Sequence, residues 1–247
     1  MLFRSAGSIF FDNKYLANRW FSASVCLSLT KSLNCGVVMF NVLEYNAIKP
    51  IEQMAPITTY DKPVVGLDRD GVLNYNGPGD GYVYRPEMFQ PIPGSLEAVA
   101  LIRSKGYKIV IITGQAGIHK GLYTQYDVDV VHQYLMQLLG QAGCPSIDGL
   151  YYSTTNLKED EYAKPNIGMF KRAERELPGI DFSKGWYVGD SMRDLKAADK
   201  AGAKPILVRT GHGTETESEL GKFAQRELKK KTVVFDTLMD FAQSLPA

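Results

Sequence analysis

From Lys62 onward, short apolar runs alternate with longer stretches in which apolar positions recur every three or four residues. Pro63 to Leu67 (PVVGL) reads as a buried strand that stops at Asp68. The Gly-, Pro-, Asn- and Tyr-containing segment Asn74 to Pro93 reads as a long loop. Gly94-Ser95 opens a helix, with Ser95 as its cap and Leu96, Val99, Ala100 and Ile102 on one face, and Gly106 stops it. Tyr107 to Ile112 (YKIVII) predicts a second strand, leading into Thr113. Residues 126–142 carry Val128, Val131, Leu135, Leu138 and Leu139 at helical spacing. A third strand is predicted at Gly149 to Ser153, a helix at Asn166 to Leu177 and a fourth strand at Gly185 to Gly189. Met192 to Ala201 reads as a helix closed by Gly202, followed by strands at Lys204 to Val208 and Thr232 to Phe235.

Strands alternating with helices imply a parallel sheet covered on both faces, a three-layer αβα, Rossmann-like α/β fold. Ligands of such sheets bind beyond the carboxyl ends of the strands. Asp68, Thr113 and Asp190 each follow directly on a predicted strand, so all three are expected at one edge.

Composition narrows the classes of function. The chain has 247 residues, 28 basic against 27 acidic, and a formal net charge of +1. That balance, with no basic stripe, argues against a nucleic-acid partner and leaves small anionic substrates open. No apolar run reaches the ~18 residues of a membrane span. Cys26, Cys35 and Cys144 form neither a disulfide framework nor a Cys-x-x-Cys metal spacing, which suits a reducing cytoplasm. No internal repeat is evident, and Lys229-Lys230-Lys231 reads as a solvated helix end.

Residues 1–60 differ from the rest and are expected to be an extension outside the domain at 61–247. Their opening is rich in Ser and Phe, carries Arg4, Lys14, Arg19 and Lys31, and has only Asp12 as an acid before Glu44. Three readings stand: an organelle-targeting segment within residues 1–40, a poorly ordered extension, or an overlong start with Met39 or Met54 as the true first residue.

The chemistry concentrates in Asp68-Arg69-Asp70-Gly71. Two carboxylates, two residues apart after a strand, can face one ligand because side chains alternate. Mg²⁺ takes hard oxygen ligands, usually one or two carboxylates with phosphate and water. Asp68 could present one oxygen to such an ion and the other to phosphorus, splitting phosphoryl transfer into two steps through an aspartyl-phosphate. Asp70 would protonate the leaving alkoxide and then activate water. An ordinary Asp-Gly turn is the plain alternative. Thr113, with the backbone N–H groups after it, fits an anion-binding concavity or a helix cap. Lys164, after the third strand, would offset the charge of Asp68 and of phosphate, or is a surface lysine. Asp190 is suited to bind Mg²⁺, and Asp194, four residues on, to orient Lys164 or a metal-bound water; both could instead serve the helix start. The four pieces follow successive strands, and jointly they specify far more than any one.

From Val64 to Gly213 the chain resembles the haloacid dehalogenase (HAD) phosphatases, and within them the heptose-bisphosphate phosphatase and histidinol-phosphatase branch. LDRDGVLN (Leu67 to Asn74), GYV (Gly81 to Val83), ITGQAGIHKG (Ile112 to Gly121), DGLYYS (Asp148 to Ser153), AKPNIGM (Ala163 to Met169), YVGDSMRDLKAADKAG (Tyr187 to Gly202) and LVRTGHG (Leu207 to Gly213) carry the likeness. The resemblance implies Asp68 as nucleophile and Mg²⁺ ligand, and Asp70 as acid/base with its backbone carbonyl on the metal. It implies Asp190 as the third metal ligand, with Thr113, Gly114 and Lys164 at the phosphate. The intervals from Asp70 to Thr113 and from Thr113 to Lys164 are too short for the large cap domains of many relatives. Loops at Tyr75 to Phe89, Ala116 to Tyr123 and Thr154 to Ala163 are therefore expected to shape the pocket.

Three departures from the branch stand out. The segment before Lys164 has no Cys or His where relatives carry a zinc loop, so zinc is not expected. Ala163 replaces the branch's arginine, and Gly114 its asparagine. His119 and Lys120 are candidates for a second phosphate or a sugar, or are solvated loop residues. The expected activity is a monomeric, Mg²⁺-dependent phosphatase of a small phosphorylated metabolite, such as a heptose bisphosphate. Histidinol phosphate, a nucleic-acid 3′-phosphate, a receiver-like phosphoacceptor and a non-catalytic binding protein are the other readings. No membrane partner is expected.

Overall fold

A computed structural model describes Ala6–Ile9 and residues 62–247. The expectations for residues 1–60 otherwise lie outside the described residues. Each predicted strand forms: β2 (Lys62–Leu67), β3 (Tyr107–Gly114), β4 (Gly149–Ser153), β5 (Trp186–Gly189), β6 (Lys204–Val208) and β7 (Val233–Phe235). The sheet order is β1-β4-β3-β2-β5-β6-β7, parallel throughout except for β1 (Ala6–Ile9), which pairs antiparallel with β4.

The central strands are apolar on both sides because both sides are covered. Val65, Leu67, Ile109, Ile111, Val188 and Ile206 face α1 (Ser95–Ser104), α2 (Gln125–Gln141) and α7 (Leu238–Ser244). Val64, Val110, Ile112 and Tyr187 face Met169 and Phe170 of α3 (Gly168–Glu176) and Ala197 and Ala198 of α4 (Met192–Ala201). The three layers are thus those expected. Between β2 and β3 stand only a 3-10 turn (Pro86–Met88) and α1, so the described residues include no large cap at that point. Among them, no helix is long and apolar enough to cross a membrane.

Several details differ from the sequence reading. Ser95 is not the cap of α1: Gly94, at φ 78°, holds that place, and the Ser95 hydroxyl donates to Leu73 O at 2.6 Å, tying the helix to the loop after β2. β3 runs on through Gly114, so Thr113 and Gly114 pair with Tyr152 and Ser153 within the sheet. α3 starts at Gly168 because Asn166 directs its side-chain amide to Lys158 O and Asp160 O, fastening the preceding loop. Two helices were not foreseen, and of a third only the solvated end at Lys229-Lys230-Lys231 was. α5 (Gly213–Leu220) and α6 (Arg226–Lys231) are mostly polar, and Leu220 and Leu228 bury against Leu195 and Leu207. α7 is short, but its capping box between Thr237 and Asp240 is a signal the sequence does carry.

Strands β2 and β5 flank the point where the strand order reverses, the usual crevice of such sheets. Asp68 and Asp190 stand at the carboxyl ends of these two neighbours.

Candidate active site

Asp68 leaves β2 with its N–H donating to Val188 O at 2.9 Å, so its backbone is still tied to β5. Its Oδ1 accepts from Arg69 N at 2.8 Å, and its Oδ2 lies 3.0 Å from Lys164 Nζ. The chain then turns sharply, with Leu73 N donating to Arg69 O and Gly71 N to Asn74 O. Gly71 has φ 83°, and a Cβ there would lie 2.0 Å from Asp190 Oδ2. Gly211 presses in from the opposite loop, where a Cβ would lie 2.1 Å from the same oxygen. Two glycines therefore enclose the Asp190 carboxylate, which also accepts from His212 N at 2.8 Å. Thr216 Oγ1 donates to Asp190 O, and Thr210 Oγ1 to Gly71 O, closing the frame.

Lys164 reaches the site from the loop after β4. Its ammonium lies 2.6 Å from Asp194 Oδ1 and donates to Tyr187 OH at 3.1 Å. Asp194, fully buried on the first turn of α4, accepts from Ser191 N and Oγ at its other oxygen. Of its two expected tasks, the one the geometry supports is holding Lys164.

Asp70 has different company. Its carboxylate accepts from Arg69 Nε and Nη2, from Asn74 Nδ2 at 2.8 Å and from Gln115 Nε2 at 2.9 Å. Arg69, completely buried between the two aspartates, also donates to Val83 O and to His132 Nε2 at 3.1 Å. Among the described residues, the trio of carboxylates that comes together is Asp68, Asp190 and Asp194, one oxygen of each lying within 4.8 Å of the others.

A cleft of about 220 Å³ opens over these groups, lined by Asp68, Asp70, Thr113, Gly114, Lys164 and Asp190 at its base. Asn76, Asp80, Tyr82, Asn156, Arg193 and His212 line it further out. The loops after β2 and β4 supply much of this wall, as expected. His119 and Lys120 stand exposed in the turn after β3 and do not line the cleft; Lys120 Nζ lies 5.2 Å from the centre of the Tyr82 ring.

The electrostatics follow from crowding. Burial, then the neighbouring Asp194, pushes the Asp68 carboxyl up to about 8 against the pull of Lys164. Burial and Asp194 likewise raise Asp190 to about 7, opposed by the His212 N–H. Burial works against the Lys164 ammonium, but Asp194 and Asp68 overcome it and hold its pKa above the ordinary lysine value. Burial raises Asp194 too, yet Lys164 and Ser191 leave its pKa below the usual carboxylate range. One lysine for three clustered carboxylates leaves negative charge without a partner in a largely buried site. Hard oxygens in that surplus fit a small divalent cation, which would hold Asp68 and Asp190 ionised.

Arg69, Asn74, Gln115, Tyr123, His132 and Gly211 were missed as site residues. Asn74, Gln115 and Gly211 lie inside recognisable motif runs, and His132 interrupts the apolar face of α2 next to Val128, Val131 and Leu135. Asn74, Gln115 and His132 are each a polar residue in a buried pattern, and Gly211 a glycine in a loop that follows a strand. Nothing local marks Tyr123.

Comparison with known proteins identifies the family. The HAD-hydrolase-like family model matches residues 161–241. The D-glycero-beta-D-manno-heptose-1,7-bisphosphate 7-phosphatase of Neisseria meningitidis serogroup A is 38% identical over 178 residues, covering 72% of this chain and 91% of that protein. The enzyme of that name from Pseudomonas putida is 35% identical over 180 residues, covering 72% and 97%. The crystal structure of D,D-heptose 1,7-bisphosphate phosphatase from B. bronchiseptica, complexed with magnesium and phosphate, superposes with a TM-score of 0.64 at 30% identity, covering 73% and 96%. The chain belongs to the HAD phosphatases, in the branch that includes the heptose-bisphosphate phosphatases, and is a phosphoric monoester hydrolase.

Proposed function

We propose that residues 61–247 form a Mg²⁺-dependent catalytic domain that hydrolyses a sugar phosphate through an aspartyl-phosphate on Asp68. The observation that carries this reading is that two carboxylates and an ammonium line one cleft: Asp68, Lys164 with its nitrogen 3.0 Å from it, and Asp70 two residues on.

Lys164, the Thr113 hydroxyl and the Gly114 N–H would hold the phosphoryl oxygens with phosphorus facing Asp68. An Asp68 oxygen attacks phosphorus, the ester P–O bond breaks, and Asp70 gives its proton to the departing alkoxide. The now ionised Asp70 takes a proton from water as that water attacks the same phosphorus. The Asp68 O–P bond breaks, inorganic phosphate forms and Asp68 is restored. Asp68 and Asp190, with the Asp70 carbonyl that the family resemblance adds, would hold Mg²⁺, whose charge would offset that of the phosphate.

The substrate class rests on the relatives, which carry the name of a sugar bisphosphate phosphatase. The outer cleft agrees in character: Asn76, Asp80, Asn156 and His212 offer hydrogen-bonding groups suited to sugar hydroxyls. Arg193 lines the same wall and makes no ion pair among the described residues, leaving its guanidinium available to a remote phosphate. The test is phosphate release from heptose and hexose bisphosphates, histidinol phosphate, nucleotides and a 3′-phosphorylated oligonucleotide, with Mg²⁺ and with chelator. Mg²⁺-dependent preference for a sugar bisphosphate is expected. Preference for one of the other esters would move the chain to a different substrate class.

A further inference from the structure

Gln115 follows β3 and is completely buried. Its Nε2 donates to Asp70 Oδ2 at 2.9 Å and to Thr113 Oγ1 at 3.1 Å, while its Oε1 accepts from Tyr123 OH at 3.1 Å. Both amide hydrogens are therefore committed, and the single phenolic hydrogen fixes which way round the amide lies. Turned over, the amide would set its carbonyl oxygen against the Asp70 carboxylate. Tyr123 is itself held in place. It stacks on Tyr84 with centroids 5.1 Å apart, meets Tyr82 edge-on at 5.6 Å, and packs against Gly117, where a Cβ would lie 2.1 Å from its ring. Burial raises its pKa far above the ordinary tyrosine range, so the hydroxyl keeps its hydrogen.

We infer that Gln115, locked in one sense by the Tyr123 hydroxyl, is a positioning residue that aims the Asp70 carboxyl at the leaving group. This rests on Asp70 acting as the general acid of the proposed phosphatase. The aromatic loop carrying Tyr82 and Tyr84 thereby supports the acid without touching it. The same amide occupies an acceptor site on Thr113 Oγ1, leaving that hydroxyl's hydrogen for a phosphoryl oxygen.

Leaving-group dependence separates this role from simple loss of structure. An alkoxide needs a proton to depart, whereas p-nitrophenolate leaves without one, and kcat/KM covers only the steps up to that departure. In the full chain with Mg²⁺, Tyr123→Phe is expected to lower kcat/KM for the preferred sugar phosphate about tenfold, a part of the roughly 10²–10⁴-fold that a general acid contributes. For p-nitrophenyl phosphate the expected loss is no more than about threefold, a share due to Thr113 that both substrates bear. Gln115→Met, close in shape but without donors, should give the same split. Adding Tyr123→Phe to it should cost nothing further if the tyrosine acts through the amide.

Equal losses on both substrates, or no loss on either, would overturn the inference while leaving the phosphatase reading intact. Independent losses in the double variant would also overturn it. Absence of turnover in the unaltered protein would sink the reading beneath it and the inference together.

Discussion

The Lys164 ammonium and the Asp194 carboxylate stand 2.6 Å apart at the base of the cleft, with side chains 7% and 1% exposed. Stranding either charge in that setting is costly, about 3–5 kcal/mol for a buried pair. Lys164→Met and Asp194→Asn are therefore each expected to lower unfolding free energy by a few kcal/mol. Because the two share the damage, the double variant should lose about 1–3 kcal/mol less than the sum. Urea denaturation of the four proteins at fixed pH reads this directly, and additive losses would show that the pair does not act as a unit.

Gly71 and Gly211 leave the Asp190 carboxylate no room to retreat. An alanine at Gly211 would place its Cβ 2.1 Å from Asp190 Oδ2 at a φ of 58°, so the carboxylate or the loop must move. Gly211→Ala is expected to weaken Mg²⁺ binding, measured by titration calorimetry, about tenfold or more, and to lower stability by about 1–3 kcal/mol. Unchanged Mg²⁺ affinity would argue that Asp190 is not a ligand.

His132 Nε2 accepts from Arg69, so the buried ring holds one proton at Nδ1 and resists a second. Burial, reinforced by the Arg69 charge, holds its pKa well below the ordinary 6.5. Below that pH the unfolded chain therefore binds a proton that the folded chain refuses. The stability this group confers is present above pH 6.5 and is lost as pH falls, with a slope approaching about 1.4 kcal/mol per pH unit. His132→Gln should remove that slope between pH 6.5 and 5, whatever its effect on absolute stability. Parallel curves for the two proteins in that window would contradict the assignment.

Arg193 bears on specificity. Arg193→Gln is expected to raise KM for a sugar bisphosphate about tenfold, the scale of one charge-assisted contact, while leaving the corresponding monophosphate nearly unchanged. An equal effect on both substrates would mean that this guanidinium does not read the remote phosphate.

Much of the fold was legible because its strands are buried on both faces. PVVGL and the IVII of YKIVII have no polar position to confuse strand with amphipathic helix, and the acids and threonine that end the strands mark the functional edge. α5, and α6 apart from its lysine-rich end, were not legible because GTETESEL and RELKKK bury so little: Thr216 and Leu220 with Gly213 in one, Leu228 in the other. Ser95 misled for a related reason, since a buried hydroxyl can satisfy a distant carbonyl as readily as cap its own helix. In the site, Asp68, Asp190 and Lys164 could be read because each follows a strand. The support of Asp70 could not, for His132 and Tyr123 reach it from other elements through Arg69 and Gln115. Such links are set by packing rather than by spacing along the chain.

The central claim is that Asp68 itself takes the phosphoryl group. Acid quench of the protein during turnover with Mg²⁺, followed by mass spectrometry of the peptide spanning Asp68, tests it most directly. A phosphoryl adduct on Asp68 that disappears in Asp68→Asn is the expected result. An adduct on another residue, or one that persists in Asp68→Asn, would contradict it.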